Sequence, residues 1–327
     1  MLWRQLDMES LRTIPWTLAT IYWLIFAVLS YVLRHLLYAW RLRIMTDNLF
    51  SWTKSIELIF IWEFSSAVSP SSIGGSAVAL FFLAQEKISA AKSVSVVVYS
   101  MLLDTFFFLV TIALLVFTLG PIGVRPGLIS FSFNGYMYSL LVVWFFMLAY
   151  GLVFFYGLFI SPDKIRGFLF WLSKFKLLKR FQKSLLQIGQ DMLHTSKELR
   201  QKPISFHLVA IISTAGAWIF RFLAVNFIIL ALVPDVSTDL YTQYLLYSRG
   251  EIMHSLAQFS PTPGGAGMVE YIFGGFYSDF IPKGITFIVA LVWRLITYYP
   301  YLIIGAIIIP NWIRKMLNKK RLEKAGI

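Results

Sequence analysis

Two Ser-Pro segments interrupt long apolar blocks of this chain, and no other feature restricts its fold so tightly. One reads SPSSIGGSAVA over 69–79 and the other SPTPGGAGMVEY over 260–271. In hydrocarbon an unpaired backbone N–H or C=O costs several kcal/mol, so broken helices survive there only when buried in protein or facing a wet cavity. Proline stops an entering helix, and paired glycines admit unusual dihedrals and close approach. Two such breaks therefore mark two positions where the chain turns inside a bundle.

The remaining composition fits that environment. Of 327 residues, 58% are hydrophobic and 14% charged, whereas soluble domains carry about a quarter charged residues. Apolar blocks fall at about 15–36, 55–84, 93–119, 136–160, 206–233, 241–277 and 285–309. Five are uninterrupted and long enough to span a bilayer. Blocks 55–84 and 241–277 hold the breaks. The predicted fold is an all-α polytopic membrane bundle with two re-entrant helical hairpins.

Basic residues set the expected orientation. Segments 34–54, 85–92, 161–205 and 310–327 hold 22 of the 29 lysines and arginines. Positively charged segments favour the cytoplasmic face. With these four inside, block 55–84 must enter and leave from the cytoplasm, and block 241–277 from the outside. The first residue then lies outside, which leads us to expect a further spanning helix upstream in a longer form. The C-terminus is expected in the cytoplasm of a bacterial-type cell membrane.

The two breaks align as a repeat. Ser69-Pro70 matches Ser260-Pro261, and Gly74-Gly75 matches Gly264-Gly265 with Ile73 inserted. Asp104 follows Gly75 by 29 residues, and Arg294 follows Gly265 by 29. Motif, spacing and opposite entry sides together describe an inverted-topology repeat. The whole chain, 1–327, reads as one transmembrane domain. Its halves run from about 50 to 160 and 206 to 309, with a polar segment at 161–205 and a basic tail at 310–327.

Candidate site residues follow from the breaks and from ionisable groups in apolar sequence. Half-helices leaving the breaks direct free N–H groups and a positive dipole end inward, a seat for a lipid phosphate. Pro70, Gly74, Gly75, Pro261, Pro263, Gly264, Gly265 and Gly267 build those turns. Asp104, Arg221, Glu270 and Arg294 lie within apolar blocks, where charge is costly and generally functional. Arg221 and Arg294 suit a phosphate. Glu270 and Asp104 suit neutralisation of those arginines, a cationic head group or proton carriage. For Arg249 and Glu251, ordinary ion pairing or solvation is the expectation, and for His254 an interface position.

Several function classes are excluded or disfavoured. With no cysteine there is no disulfide, thiolate catalysis or Cys-ligated metal. The four histidines show no metal-ligand spacing. There is no phosphate-binding loop for ATP, no nucleophile elbow, no nucleic-acid motif and no implied cofactor. In 161–205, Phe175, Leu178, Phe181, Leu185 and Ile188 alternate with lysines and arginines. That pattern suits an amphipathic helix on anionic inner-leaflet lipids or a loop packed on the bundle.

Three stretches resemble the lysylphosphatidylglycerol synthase transmembrane-region family. They are LSYVLRHLLYAWRLRIM (29–45), SPSSIGGSAVALFFLAQEKIS (69–89) with LLD (102–104), and SPTPGGAGMVEYIFGGF (260–276) with WRLITYYPYLIIG (293–305). The resemblance implies a membrane domain that moves lipids between leaflets without the synthase's soluble domain, so no enzyme activity is expected. It carries over Pro261, Gly264, Gly265, Gly267, Glu270 and Arg294 as site positions, and Pro70, Gly74 and Gly75 with them. The expected function is a flippase-like translocase for a phospholipid or lipid-linked head group, using a midplane cavity. A scaffold for a lipid-modifying enzyme and an intramembrane lipid transferase are the alternatives. The sequence is compatible with a homo-oligomer.

Overall fold

A computed structural model of the chain describes residues 16–69, 72–86, 88–128, 135–175, 182–258, 260 and 262–325. Those residues contain no β-strand. Beside one helical turn at Pro121–Val124, they form twelve α-helices. These are α1 (Leu18–Met45), α2 (Trp52–Val68), α3 (Ser72–Gln85), α4 (Ala90–Leu119), α5 (Gly135–Phe155), α6 (Pro162–Ser173), α7 (Gln182–Arg200), α8 (Ile204–Leu232), α9 (Leu240–Ala257), α10 (Met268–Phe276), α11 (Thr286–Thr297) and α12 (Tyr299–Ala325). A π-helical turn, Tyr156–Ile160, ends α5. The predicted prolines Pro70 and Pro261 lie outside the described residues.

Local sequence fixes where helices begin. Ser51 accepts from the Lys54 N–H at 3.2 Å, Ser89 from the Lys92 N–H at 3.1 Å, and Asp239 from the Thr242 N–H at 3.0 Å. Each is a side-chain N-cap, which satisfies a donor that the helix leaves free. Gly120 ends α4 in the left-handed region at φ 66°, a conformation that glycine adopts without steric cost.

Five segments are long and apolar enough to cross a bilayer: Leu18–Met45, Lys92–Leu119, Met137–Ile160, Ile204–Leu232 and Thr286–Asn318. They match the five uninterrupted blocks of the sequence. The protein is an all-α, multi-pass membrane protein.

Each interrupted block folds back on itself. In hairpin 1, α2 and α3 meet at Trp62 and Phe82, whose rings lie 6.2 Å apart, and at the base Lys54 pairs with Glu86 at 2.6 Å. In hairpin 2, the Tyr277 hydroxyl donates to the Leu246 carbonyl at 3.4 Å, and Arg249 of α9 pairs with Asp279. The bases lie at opposite ends of the bundle. Near the base of hairpin 1, Asp47 binds both Lys92 and Lys202. Near the base of hairpin 2, Asn226, at the other end of α8, donates to the Gln243 carbonyl at 2.7 Å.

The tips meet in the interior. The Tyr298 hydroxyl donates to the Ala67 carbonyl in the last turn of α2 at 3.2 Å. A Cβ at Gly264 would stand 3.0 Å from that same oxygen. The apolar core is divided accordingly. One cluster, around Phe222, Ile228 and Phe273, surrounds hairpin 2. Another, around Leu58, Phe82 and Val97, surrounds hairpin 1. Between them lies a small group of Tyr31, Ala224 and Tyr301, and there the charged side chains collect.

One expectation fails. The charge pattern predicts a cytoplasmic segment from residue 34, whereas α1 continues to Met45. Arg34 and Arg41 are buried, at 1% and 7% exposure. They are internal ion-pair partners, so Arg43 and Lys54 are left to mark that end.

A charged layer where the two hairpins meet

Hairpin 2 builds its half of the site from a glycine-rich turn. Gly264, Gly265 and Gly267 have φ of 57°, 70° and 83°. The turn closes by Gly265 N–H to the Thr262 carbonyl and Ala266 N–H to the Pro263 carbonyl, both at 3.0 Å. α10 then starts, and Glu270 in its first turn reaches back to the Gly267 N–H at 2.7 Å. The other oxygen of Glu270 accepts from Arg294 Nε at 2.6 Å, and Arg294 Nη1 donates to the Gly264 carbonyl at 3.3 Å. The predicted association of Glu270, Arg294 and these glycines is therefore present. The expected anion seat at the start of α10 is partly filled by the protein's own carboxylate. Arg294 is 8% exposed, and its buried Nη2 has no partner among the described residues.

Hairpin 1 contributes differently. Gly74 and Gly75 lie within α3, not in a turn. A Cβ on Gly75 would fall 1.9 Å from Ser66 Oγ and 2.9 Å from Ser66 Cα. Gly75 thus lets α3 lie against α2, and its predicted partner Gly265 bends the chain. Glu63, one turn before the tip, pairs with Arg34 at 2.8 Å.

Arg34 is the centre of the layer, and the sequence reading missed it. Its Nη1 donates to the Tyr301 hydroxyl at 2.7 Å, and its guanidinium carbon lies 5.0 Å and 4.8 Å from the Tyr31 and Tyr38 ring centres. His35 contacts the same Tyr301 hydroxyl at 3.1 Å and the Ile56 carbonyl at 3.2 Å. The Tyr31 hydroxyl donates to the Thr297 carbonyl. An arginine mid-helix and flanked by tyrosines one turn either side is the signal that was available.

Arg221 of α8 lies 5.3 Å above Trp218 and is half-buried. No carboxylate among the described residues comes within ion-pair distance of it. Arg34, Arg221 and Arg294 all act electrostatically on Tyr31 and on His254. The layer thus holds three guanidiniums, those of Arg34, Arg221 and Arg294. It holds two carboxylates, those of Glu63 and Glu270. Among the described residues one positive charge is left without a carboxylate partner.

Asp104 is elsewhere. It accepts from Arg41 Nη1 at 2.7 Å and from Trp218 Nε1 at 3.0 Å. It therefore neutralises Arg41, not Arg221 or Arg294, and its equal spacing to Arg294 does not make the two equivalent. Arg249 is fully buried and paired with Asp279, and Glu251 is fully buried beside Thr111. His254 sits among Phe108, Trp218 and Phe222.

Tyr298 fills the space beside Gly264 and Ala67. Two pockets of the described residues lie away from this junction. One is between α6 and α7, lined by Arg166, Phe170 and Gln190. The other is between α4 and α7, lined by Lys92, Tyr99 and Glu198.

Fold and charged layer define a multi-pass membrane protein with an ionised interior. The chain belongs to the lysylphosphatidylglycerol synthase TM region family, whose model matches residues 1–305. A UPF0104 membrane protein of Archaeoglobus fulgidus is 25% identical over 297 residues, covering 87% of this chain and 84% of that protein. No solved structure matches.

Proposed function

We propose that this protein is a lipid translocase that carries an anionic phospholipid or lipid-linked head group between leaflets, without catalysing a reaction on it. The observation that supports this reading is the unbalanced charged layer at the meeting point of the two hairpin tips. Among the described residues Arg221 has no carboxylate partner, and the buried Nη2 of Arg294 has no hydrogen-bond partner. A phosphate between them would supply the missing negative charge and accept charge-assisted hydrogen bonds. Its acyl chains would remain in the bilayer.

In this reading both hairpins are re-entrant, from opposite faces, and the halves 50–160 and 206–309 rock about the charged layer. Tyr298 closes the path in the present conformation, and its movement away from Gly264 would open it. The polar segment 161–205 would rest on anionic inner-leaflet lipids, in a cell membrane with the C-terminus inside. Exposed Phe168, Trp171 and Phe175 beside Lys174 suit that interface.

The packing of Tyr298 against Ala67 and Gly264 is the observation that favours the alternative, a scaffold for a lipid-modifying enzyme. A flipping assay separates the two. Purified protein in liposomes carrying a fluorescent phosphatidylglycerol should bring label from the inner leaflet to an external quencher. Arg221→Gln should lower the rate about 10- to 100-fold, the worth of one hydrogen-bonded charge of about 1.5–3 kcal/mol. Protein that is folded yet silent toward all anionic phospholipids tested would favour the scaffold.

A further inference from the structure

Glu251 is the one carboxyl of the described interior that has neither water nor a cation. It is 0% exposed, and no lysine or arginine among the described residues comes within ion-pair distance. Glu63, Asp104 and Glu270 each have an arginine. Among the described residues Glu251 Oε2 has no close hydrogen-bond partner, Oε1 meets the Thr111 hydroxyl of α4, and the Tyr247 hydroxyl, one turn earlier on α9, also interacts with the carboxyl.

Burial without a cation favours the neutral acid, and the Thr111 hydroxyl fits it. Its oxygen also lies 2.7 Å from the Phe107 carbonyl, the usual return bond to the preceding turn. The hydroxyl has a single proton to give, and the carbonyl can only accept. Both Thr111 contacts are full hydrogen bonds at once when Glu251 donates, which the carboxylic acid does. An ionised carboxylate there would be fully buried with no cation, offset only by hydroxyl donors from Thr111 and Tyr247, at a cost of several kcal/mol.

The surrounding charges do not offset this. Tyr244, Tyr247 and His254 share α9 with Glu251. Arg249, also on α9, is bound to Asp279. Elements packed on α9 are α4, α5, α8, α10 and the turn 121–124. α4 carries Lys92, bound to Asp47 and Glu198, and Asp104, bound to Arg41. α5 carries no charged residue. α8 carries His207, bonded to Tyr99, and Arg221, lying over Trp218. α10 carries Glu270, bound to Arg294. The turn 121–124 carries none, and Arg125 after it lies beside Gly275.

We propose that Glu251 is a proton-binding site, a carboxylic acid held neutral where hairpin 2 packs on α4. Its proton exchanges with water only when that contact opens. Proton release is thereby tied to movement of hairpin 2. The sequence points to Glu270 and Asp104 for proton carriage; in the structure Glu270 is paired with Arg294 and Asp104 with Arg41. This inference does not rest on the lipid-moving reading.

Infrared spectroscopy of the protein reconstituted in nanodiscs tests it at neutral pH, with no transport measured. The wild type should show the C=O band of a protonated carboxylic acid. Glu251→Gln should lose that band and should fold, because glutamine copies the neutral acid in shape. Thr111→Val removes the acceptor and should shift the band to higher frequency without abolishing it. Absence of the band in the wild type at neutral pH, or a band unchanged in both variants, would overturn the proposal.

Discussion

The two hairpins share a Ser-Pro…Gly-Gly motif and use it in different ways. In hairpin 1, α2 ends at Val68 and α3 begins at Ser72, and Gly75 lies in a helix, pressed against Ser66. Hairpin 2 turns over the longer stretch from Ala257 to Met268, and three glycines there adopt positive φ. In one the missing side chain lets helices approach. In the other it lets the backbone bend. The consequence is chemical. Hairpin 1 leaves its nearest charge, Glu63, to a neighbouring helix, whereas the glycine turn of hairpin 2 gathers Glu270, Arg294 and its own Gly264 carbonyl into one network. A repeat in sequence thus need not produce a repeat of the site.

The contrast predicts its own failures. The largest effect is expected at the network of hairpin 2. Arg294→Met leaves Glu270 buried without its cation, which costs about 3–5 kcal/mol. Adding Glu270→Gln should return most of that loss in detergent-solubilised unfolding measurements. If the double variant is no more stable than the single, the network is not what holds the turn.

Next come the glycines. Gly75→Ala should cost about 1–3 kcal/mol through overpacking on Ser66, and Ser66→Gly should restore part of it. Gly267→Ala meets nothing within 4 Å. Its cost, about 1–2 kcal/mol, comes from the left-handed backbone alone, so truncating a neighbour should not rescue it. Rescue at both positions, or at neither, would erase the distinction between the hairpins.

The smallest effect is at the end of the bundle near hairpin 1. Burial alone would raise the Asp47 pKa, but hydrogen bonds from Lys202 and Lys92 outweigh it and hold the pKa below the ordinary value. A lowered folded value means that Asp47 adds stability above the unfolded pKa, about 4. That contribution fades as pH falls through the folded value. Asp47→Asn should therefore lower the melting temperature slightly at pH 7 and flatten its decline below about pH 4. An unchanged acid limb would show that this cluster contributes nothing measurable.

Much of this was legible in the chain. The five uninterrupted blocks became the five candidate spans because length and apolarity suffice to define such helices. The Glu270–Arg294 pair was accessible because both residues interrupt apolar sequence beside a break. Arg34 and Arg41 were not. Arginines at the end of an apolar run look like positive-inside anchors, and only the partners Glu63 and Asp104, 29 and 63 residues away, reveal them as interior. The different roles of Gly75 and Gly265 were hidden for a similar reason. A glycine pair does not disclose whether its neighbour is a side chain or its own dihedral. Glu251 read as a solvated or paired residue because burial against Thr111, 140 residues distant, leaves no local trace.

The central claim is that both hairpins return to the face they entered, from opposite sides, and meet between. Because the chain has no cysteine, single cysteines can be placed without background. Thr53→Cys, Gln85→Cys, Ser237→Cys and Ser278→Cys mark the two bases. In oriented membrane vesicles, an impermeant maleimide should label positions 53 and 85 from one face and 237 and 278 from the other. Labelling of 53 and 85 from opposite faces, or of all four from the same face, would contradict the account.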